Sequence, residues 1–172
     1  MNVRMLVGLV LLVLVFAGCS TVTPYDGEIA KESPRFGKIG KAEAVAIIQS
    51  QAGVSGETAD YGSFVMDEEG FSFRKTTQEE KTEWKDRKPV KSKSTVTQTQ
   101  NVPWNSITSL MPYMEEYKAP FHHIRYRVRL EYNTIALVGS SRVREKESLI
   151  LNCRTREALA DVVTALKTLT HL

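Results

Sequence analysis

The sequence lacks the short motifs by which most enzymes are identified. It contains no Gly-x-Ser-x-Gly nucleophile elbow, no phosphate-binding loop, no His-Glu-x-x-His and no Cys-x-x-Cys pair. Ser140 and Ser141 follow a glycine, but this composition is typical of a loop. We therefore expect a protein that is not an enzyme. An enzyme stays open as a third alternative, because catalytic triads are recognised by geometry and not by sequence position.

Features that bind metals or nucleic acids are also scarce. The chain has three histidines and two cysteines, and its net formal charge is +3. His122 and His123 follow Glu115 and Glu116, but adjacent residues of a strand face opposite sides, so both histidines rarely bind one ion. A charge this small does not imply a nucleic-acid partner. The sequence predicts no metal, no cofactor and no nucleic acid.

A long apolar run occurs at the N-terminus. Arg4 is the charged residue of the segment 1–18, residues 5–16 are apolar apart from Gly8, and small residues follow. This order predicts a secretory signal peptide over 1–18. The run is too short to cross a hydrocarbon core of about 30 Å as a helix.

The end of this segment, Phe-Ala-Gly-Cys at residues 16–19, resembles the lipobox of bacterial lipoproteins. The resemblance implies cleavage before Cys19, acylation of that cysteine and attachment to a membrane through its acyl chains. Ser20, in place of an aspartate, resembles lipoproteins that are passed on to the outer membrane. The alternative is an ordinary secretory signal. With Cys19 acylated, Cys153 has no disulfide partner and the fold depends on its core.

Residues 19–58 are expected to connect this anchor to a folded domain. Prolines, glycines and threonines interrupt any period over 19–40, which predicts a lipidated flexible tether. Residues 41–58 are predicted to form a short helix and a loop, because Ala44, Ile47 and Ile48 recur at helical spacing and Gly53 can end the helix.

Residues 59–172 have the pattern of several strands followed by one helix. Apolar positions Leu159, Val162, Val163, Leu166 and Leu169 predict an amphipathic C-terminal helix, with Thr155 as its N-cap. Alternating apolar and polar residues, bounded by turn residues, predict six preceding strands, over 63–66, 71–74, 94–102, 124–132, 134–138 and 149–153. The segments 74–93 and 139–147 are predicted to be loops. A turn is expected at Asn133 and a helical turn at 114–117.

The hairpin of residues 64–73, the Val-Pro-Trp-Asn-Ser-Ile step at 102–107 and the final strand leading into the helix resemble the pleckstrin-homology-like (PH-like) superfold. The resemblance covers 59–172. It implies an α+β fold in which a curved antiparallel sheet or barrel is closed by the C-terminal amphipathic helix. The short helix at the start of 41–58 precedes this domain.

Two basic features are candidates for binding an anionic lipid or glycan. The loop 74–93 contains eight Lys or Arg residues against four acidic ones, and alternating arginines lie on the predicted outward face of strand 124–132. We favour the loop, because binding residues concentrate in loops and Trp84 suits an interface. The strand arginines can also be explained as the solvent-exposed face of a half-buried strand. Both basic features have the further alternative of being ordinary solvated surface. The predicted ligand-binding residues are Trp84, Lys85, Arg87, Lys88 and Lys91.

Together these features predict a non-enzymatic binding or adaptor lipoprotein of the bacterial cell envelope. Its acyl chains would attach it to the outer membrane, facing the periplasm. The alternative is a structural subunit of a larger envelope assembly, in which an edge strand or a helix contacts a protein partner.

Overall fold

The computed structural model describes residues 20–25, 28–55, 62–85, 88–118, 121–138 and 141–172. The predicted signal peptide, Cys19 and Arg87 lie outside these residues. As expected, the protein is α+β, with antiparallel sheets and a C-terminal helix, and a helix occupies the region predicted near residue 41.

The described residues form eight strands and two α-helices, joined in part by 3-10 turns. The strands are β1 (Ser20–Pro24), β2 (Ala52–Ser55), β3 (Gly62–Met66), β4 (Gly70–Lys85), β5 (Lys88–Pro103), β6 (Ile107–Tyr117), β7 (His123–Val138) and β8 (Ser141–Cys153). The helices are α1 (Lys41–Gln51) and α2 (Arg156–Thr170), and the 3-10 turns are Glu28–Glu32 and Trp104–Ser106.

The strands belong to two antiparallel sheets. The larger sheet has the order β1-β6-β7-β8-β2 and the smaller has the order β3-β4-β5. No closed barrel forms among the strands described, which corrects that part of the predicted architecture. The physical reason is that β1 pairs with the free edge of β6 and β2 pairs with the free edge of β8. These N-terminal strands occupy the edges that closure would need.

Helix α2 lies in the core against the larger sheet. Its predicted stripe is confirmed, because Leu159, Val162, Val163, Leu166 and Leu169 are all buried. The predicted cap is confirmed as well, since the Thr155 hydroxyl accepts a hydrogen bond of 3.1 Å from the Ala158 N–H. Residues beside the stripe, including Ala160, Thr164 and Ala165, are also buried. They are covered because α1 and the first 3-10 turn pack on this helix.

The N-terminal segment is folded in its described part, which corrects the predicted flexible tether over 19–40. Strand β1 pairs with β6 along its whole length. Ile29 and Ala30 are buried in the core, and the Thr164 hydroxyl donates a hydrogen bond of 2.9 Å to the Ala30 carbonyl. The prolines and glycines of this segment therefore lie between short packed elements.

The predicted loop over 74–93 is wrong for its described residues, because 74–85 and 88–93 belong to a long hairpin. Strands β4 and β5 pair continuously from Gly70 opposite Pro103 to Lys85 opposite Lys88. We call its distal part, residues 78–85 and 88–95, the ribbon. The side chains that the structure describes there are exposed. A strand exposed on both faces carries no apolar alternation, so its sequence is polar like that of a loop.

Three further local predictions differ from the structure for a related reason. Strand β7 continues past Asn133 to Val138, β8 begins at Ser141 within the predicted charged loop, and β6 extends through the predicted helical turn to Tyr117. Pairing with a neighbouring strand satisfies the backbone N–H and C=O groups of these segments with hydrogen bonds. The segments can therefore form strands although their side chains are polar.

Aromatic residues join the two sheets at the predicted hairpin and Pro-Trp step. Met66 pairs with Phe71, which confirms the hairpin. Trp104 is buried, and its indole N–H donates a hydrogen bond of 2.9 Å to the Asp67 carbonyl. The Phe71 ring lies 5.3 Å from the Trp104 ring and meets Tyr132 of β7 edge-on at 6.0 Å. These contacts fix where the smaller sheet meets the larger one.

Candidate functional site

The face of the larger sheet that is turned away from α2, called here the outer face, carries the strand arginines. Along β7, Val128, Leu130 and Tyr132 are buried toward the helix. The alternate positions, Arg127 and Arg129 among them, therefore project from the outer face. This is the outward orientation that the sequence predicts. Register places three β6 residues beside them on the same face, with Met111 opposite Arg129, Tyr113 opposite Arg127 and Glu115 opposite Arg125.

Arg127 is held in one position by two neighbouring strands. Its Nη1 lies 2.6 Å from Oε2 of Glu115, and its Nε donates a hydrogen bond of 2.9 Å to Oδ1 of Asn152. Only 8% of the residue is exposed. Partners of this kind are required because an unpaired buried guanidinium is strongly destabilising. The result is a cation of defined orientation on the outer face.

A groove of about 480 Å³ opens beside this cation, along β1, β6 and β7. We call it the arginine groove; it is lined by Val22, Pro24, Tyr25, Leu110, Met111, Pro112, Tyr113, Glu115, Arg127 and Arg129. Its volume is within the usual range of ligand pockets, and its combination of apolar walls with a few charged groups is also typical of them.

The surface next to the groove is aromatic and cationic. The Arg125 guanidinium lies 4.9 Å above the centre of the Tyr117 ring, and the His123 ring stacks on Tyr117 at 4.4 Å. A hydrogen bond with Glu115, together with burial, raises the pKa of Tyr117 above its ordinary value.

Sequence reasoning missed most of the groove. The wall that β1 contributes lies in the segment predicted to be a tether. Its local signal for a strand is weak, a β-branched run of three residues at 21–23 that ends at Pro24. The β6 wall did carry a signal, because Met111, Tyr113 and Glu115 occupy alternate positions. That alternation was obscured by the two prolines in the segment 111–120.

The predicted ligand-binding residues of the hairpin are divided between its two faces. Trp84 is 73% exposed and lies opposite Pro89, while Lys91 lies opposite Thr82, so Trp84 and Lys91 share a face. Lys88 is exposed on the other face. Lys85 pairs with Lys88 in register, and Arg87 lies outside the described residues. Ligand binding by this cluster stays a prediction.

His122 and His123 make hydrogen bonds to residues close in the sequence, as residues of a polar loop commonly do. His122 Nε2 lies 2.8 Å from Oε1 of Glu116, and this hydrogen bond is the main cause that lowers the Glu116 pKa. Over the described ranges, no group of three or more His, Cys, Asp or Glu side chains could hold a metal ion. Cys153 is buried, and burial raises the pKa of its thiol to about 12.

No family model, no curated protein and no solved structure matches this chain. In the part of the chain that the structure describes, no helix is long and apolar enough to cross a membrane.

Proposed function

We propose that this protein is an acyl-anchored, non-enzymatic binding lipoprotein of the bacterial cell envelope, and that it binds an anionic ligand in the arginine groove. One observation carries the proposal: Glu115 and Asn152 orient Arg127 on a groove wall, beside the exposed Arg129. A planar guanidinium matches the geometry of phosphate and carboxylate groups, and a fixed one loses less conformational freedom on binding.

The groove also limits the chemistry of the ligand. Val22, Met111 and Tyr113 provide apolar and aromatic surface next to the arginines. An anionic group attached to a flat or apolar body would use both kinds of surface. A lipid headgroup and an acidic glycan share this chemistry, so the proposed ligand is a phosphate or carboxylate carried by one of them.

The anchor part of the proposal is supported by residues 1–19 and is tested by Cys19→Ser. Stable anchoring requires more than one acyl chain or a second signal, at about 0.8 kcal/mol per buried CH₂ group. We expect the variant to be unacylated and to leave the membrane fraction after a high-salt wash. A variant that stays with the washed membranes would contradict the anchor assignment.

The same proposal includes a PH-like fold for residues 59–172. Strands β3 to β5 and β6 to β8 form two successive antiparallel meanders, and the C-terminal helix α2 packs in the core. This order supports the PH-like interpretation. Strands β1 and β2 are then additions that extend the second meander on both sides.

Ligand binding can be tested with the unacylated chain 20–172, which retains every residue that the structure describes. The probes are phosphatidylglycerol vesicles and a phosphorylated oligosaccharide, with phosphatidylcholine vesicles as the neutral reference. The groove variant is Arg129→Gln, and the matched ribbon variant is Lys91→Gln. Each variant removes one exposed cation.

We expect the groove variant to bind the anionic probe more weakly. Each cation near an anionic surface contributes about 1 kcal/mol, or roughly fivefold in affinity, and the loss should shrink as salt screens it. Vesicle binding without oligosaccharide binding would identify a lipid headgroup, and the reverse would identify a glycan. A loss confined to the ribbon variant would contradict the groove assignment and support the hairpin cluster.

A subunit of a larger envelope assembly is the second candidate, favoured by the ribbon. Its described side chains are exposed on both faces, and Trp84 is 73% exposed. Exposed aromatic residues of this size often anchor protein contacts. Stoichiometric envelope partners that co-purify with the acylated protein, and are lost when Trp84 is replaced by Ala, would support this candidate.

A further inference from the structure

The first described residue of the chain already belongs to the larger sheet. Ser20 pairs with Tyr117, and the pairing continues to Pro24 opposite Tyr113. Ser20 directly follows Cys19 in the sequence, and consecutive Cα atoms are about 3.8 Å apart. No spacer therefore separates the proposed acyl anchor from the sheet, so the anchor restricts how the domain can face a membrane.

The end of the sheet nearest to Ser20 is the connection between β6 and β7. Tyr117 pairs with Ser20 on one side and with His123 on the other. Neighbouring strands lie about 4.8 Å apart, so these three residues span about 10 Å. Lys118, Phe121 and His122 belong to this connection and lie within a few residues of that row.

The described side chains at this end suit the surface of a bilayer. Phe121 is 80% exposed, more than the other large apolar side chains that the structure describes, and Ile124 is 39% exposed. Lys118 and Arg125 are exposed cations beside them. Apolar rings combined with flanking cations are the composition with which surface-bound segments enter the headgroup region.

The acidic residues at this end have partners. Glu115 is paired with Arg127 at 2.6 Å, and Glu116 lies 2.8 Å from His122. The Glu115 charge is therefore offset by the Arg127 guanidinium and opposes anionic lipid less than a free carboxylate would.

We propose that the β6–β7 end of the sheet lies on the bilayer, with the Phe121 ring in the headgroup region and Lys118 and Arg125 against anionic lipid. This inference rests on the proposed acylation of Cys19. It adds a second point of membrane contact, which converts an anchor into a fixed orientation of the domain.

The orientation can be measured on the full acylated chain, reconstituted in vesicles of phosphatidylethanolamine and phosphatidylglycerol. Phe121→Cys would carry an environment-sensitive fluorophore, since Cys153 is buried with a raised pKa and the Cys19 sulfur would be acylated. The matched control is Asn133→Cys with the same label, at an exposed position. Residue 133 is a suitable control because it lies on β7 ten residues beyond His123, and a strand rises about 3.3 Å per residue. The two labels are therefore separated along the strand by about 30 Å.

We expect the label at residue 121 to show blue-shifted emission and several-fold stronger quenching by headgroup nitroxide lipids than the label at residue 133. Mass spectrometry of the N-terminal peptide, on the same sample, reports whether Cys19 is acylated. An acylated, membrane-bound protein whose label at 121 stays in water would overturn the orientation and leave the anchor intact. An unacylated protein in the supernatant would overturn both.

Discussion

The Ser33 hydroxyl donates a hydrogen bond of 2.5 Å to Oδ1 of Asp161 and so joins the N-terminal segment to the middle of α2. The second oxygen of the same carboxylate accepts a hydrogen bond of 3.3 Å from Nε2 of Gln51, at the end of α1. One carboxylate therefore connects both the N-terminal segment and α1 to the C-terminal helix. The segment belongs to the same folded unit as the sheet.

Asp161→Ala should lower the free energy of unfolding by about 1.5–3 kcal/mol, the range for hydrogen bonds to a charged group. The physical reason is that Ser33 and Gln51 both lose their acceptor. Urea denaturation measures the effect. Glu43→Gln is the control, because the exposed Glu43–Arg35 pair, at 3.8 Å, should contribute less than about 1 kcal/mol. Equal unfolding of Asp161→Ala and the wild type would show that this carboxylate does not hold the segment.

Leu166→Ala should destabilise the protein by about 2–5 kcal/mol, the range for a buried leucine that loses its side chain. Leu166 is fully buried in the middle of the α2 stripe. The control is Lys167→Ala, at a half-buried charged position, which should change stability by less than about 1 kcal/mol. An unchanged melting temperature for Leu166→Ala would mean that the helix does not pack on the sheet.

Gly70→Ala should be destabilising by on the order of 1–3 kcal/mol, because it overpacks the start of β4. A Cβ at this position would lie 2.4 Å from the Val102 carbonyl oxygen and 2.9 Å from the Pro103 Cα, and neither backbone atom can move aside alone. At Gly53 a Cβ would have no atom within 4 Å. Thermal melts of both variants test the contrast, and a similar loss at Gly53 would refute the steric explanation.

Acid should weaken the contact between the first 3-10 turn and α2. Hydrogen bonds from Arg156 to Glu32, at 2.6 Å and 2.9 Å, lower the pKa of that carboxyl from 4.5. A lowered carboxyl pKa contributes stability above the unfolded-state pKa, and this stability is lost as the pH falls through the folded-state pKa. We expect the melting temperature to decrease when the pH is lowered below 4.5, and to decrease less in the Glu32→Gln variant. Parallel curves for the two proteins would argue against a role for this pair.

Backbone amides of the ribbon should exchange with deuterium faster than those of β7 between Tyr126 and Tyr132. Beyond Arg74, β4 pairs only with β5 among the described strands, and an isolated two-stranded hairpin is marginally stable. Exchange measured by mass spectrometry tests this in the unacylated chain. Equal protection in both regions would show that another surface covers the ribbon, as the assembly alternative requires.

The sequence by itself determined those elements in which apolar residues repeat along the face that is buried. The C-terminal helix is readable because Leu159, Val162 and Leu166 repeat at helical spacing and Thr155 can cap its first turn. The start of β7 is readable because apolar and basic residues alternate there. In both elements one face packs in the core and the other is exposed to solvent, so apolar residues repeat with the period of a helix or a strand.

Tertiary structure alone decided the strands without such a period and the residues that meet across them. The described side chains of the ribbon are exposed on both faces, and β1 gains its partner only when β6 is in place, so their sequences resemble a loop and a tether. Glu115 and Arg127 lie 12 residues apart, on strands whose register depends on a pairing that no local pattern specifies. The arginine groove exists because that register and the added β1 bring three strands together.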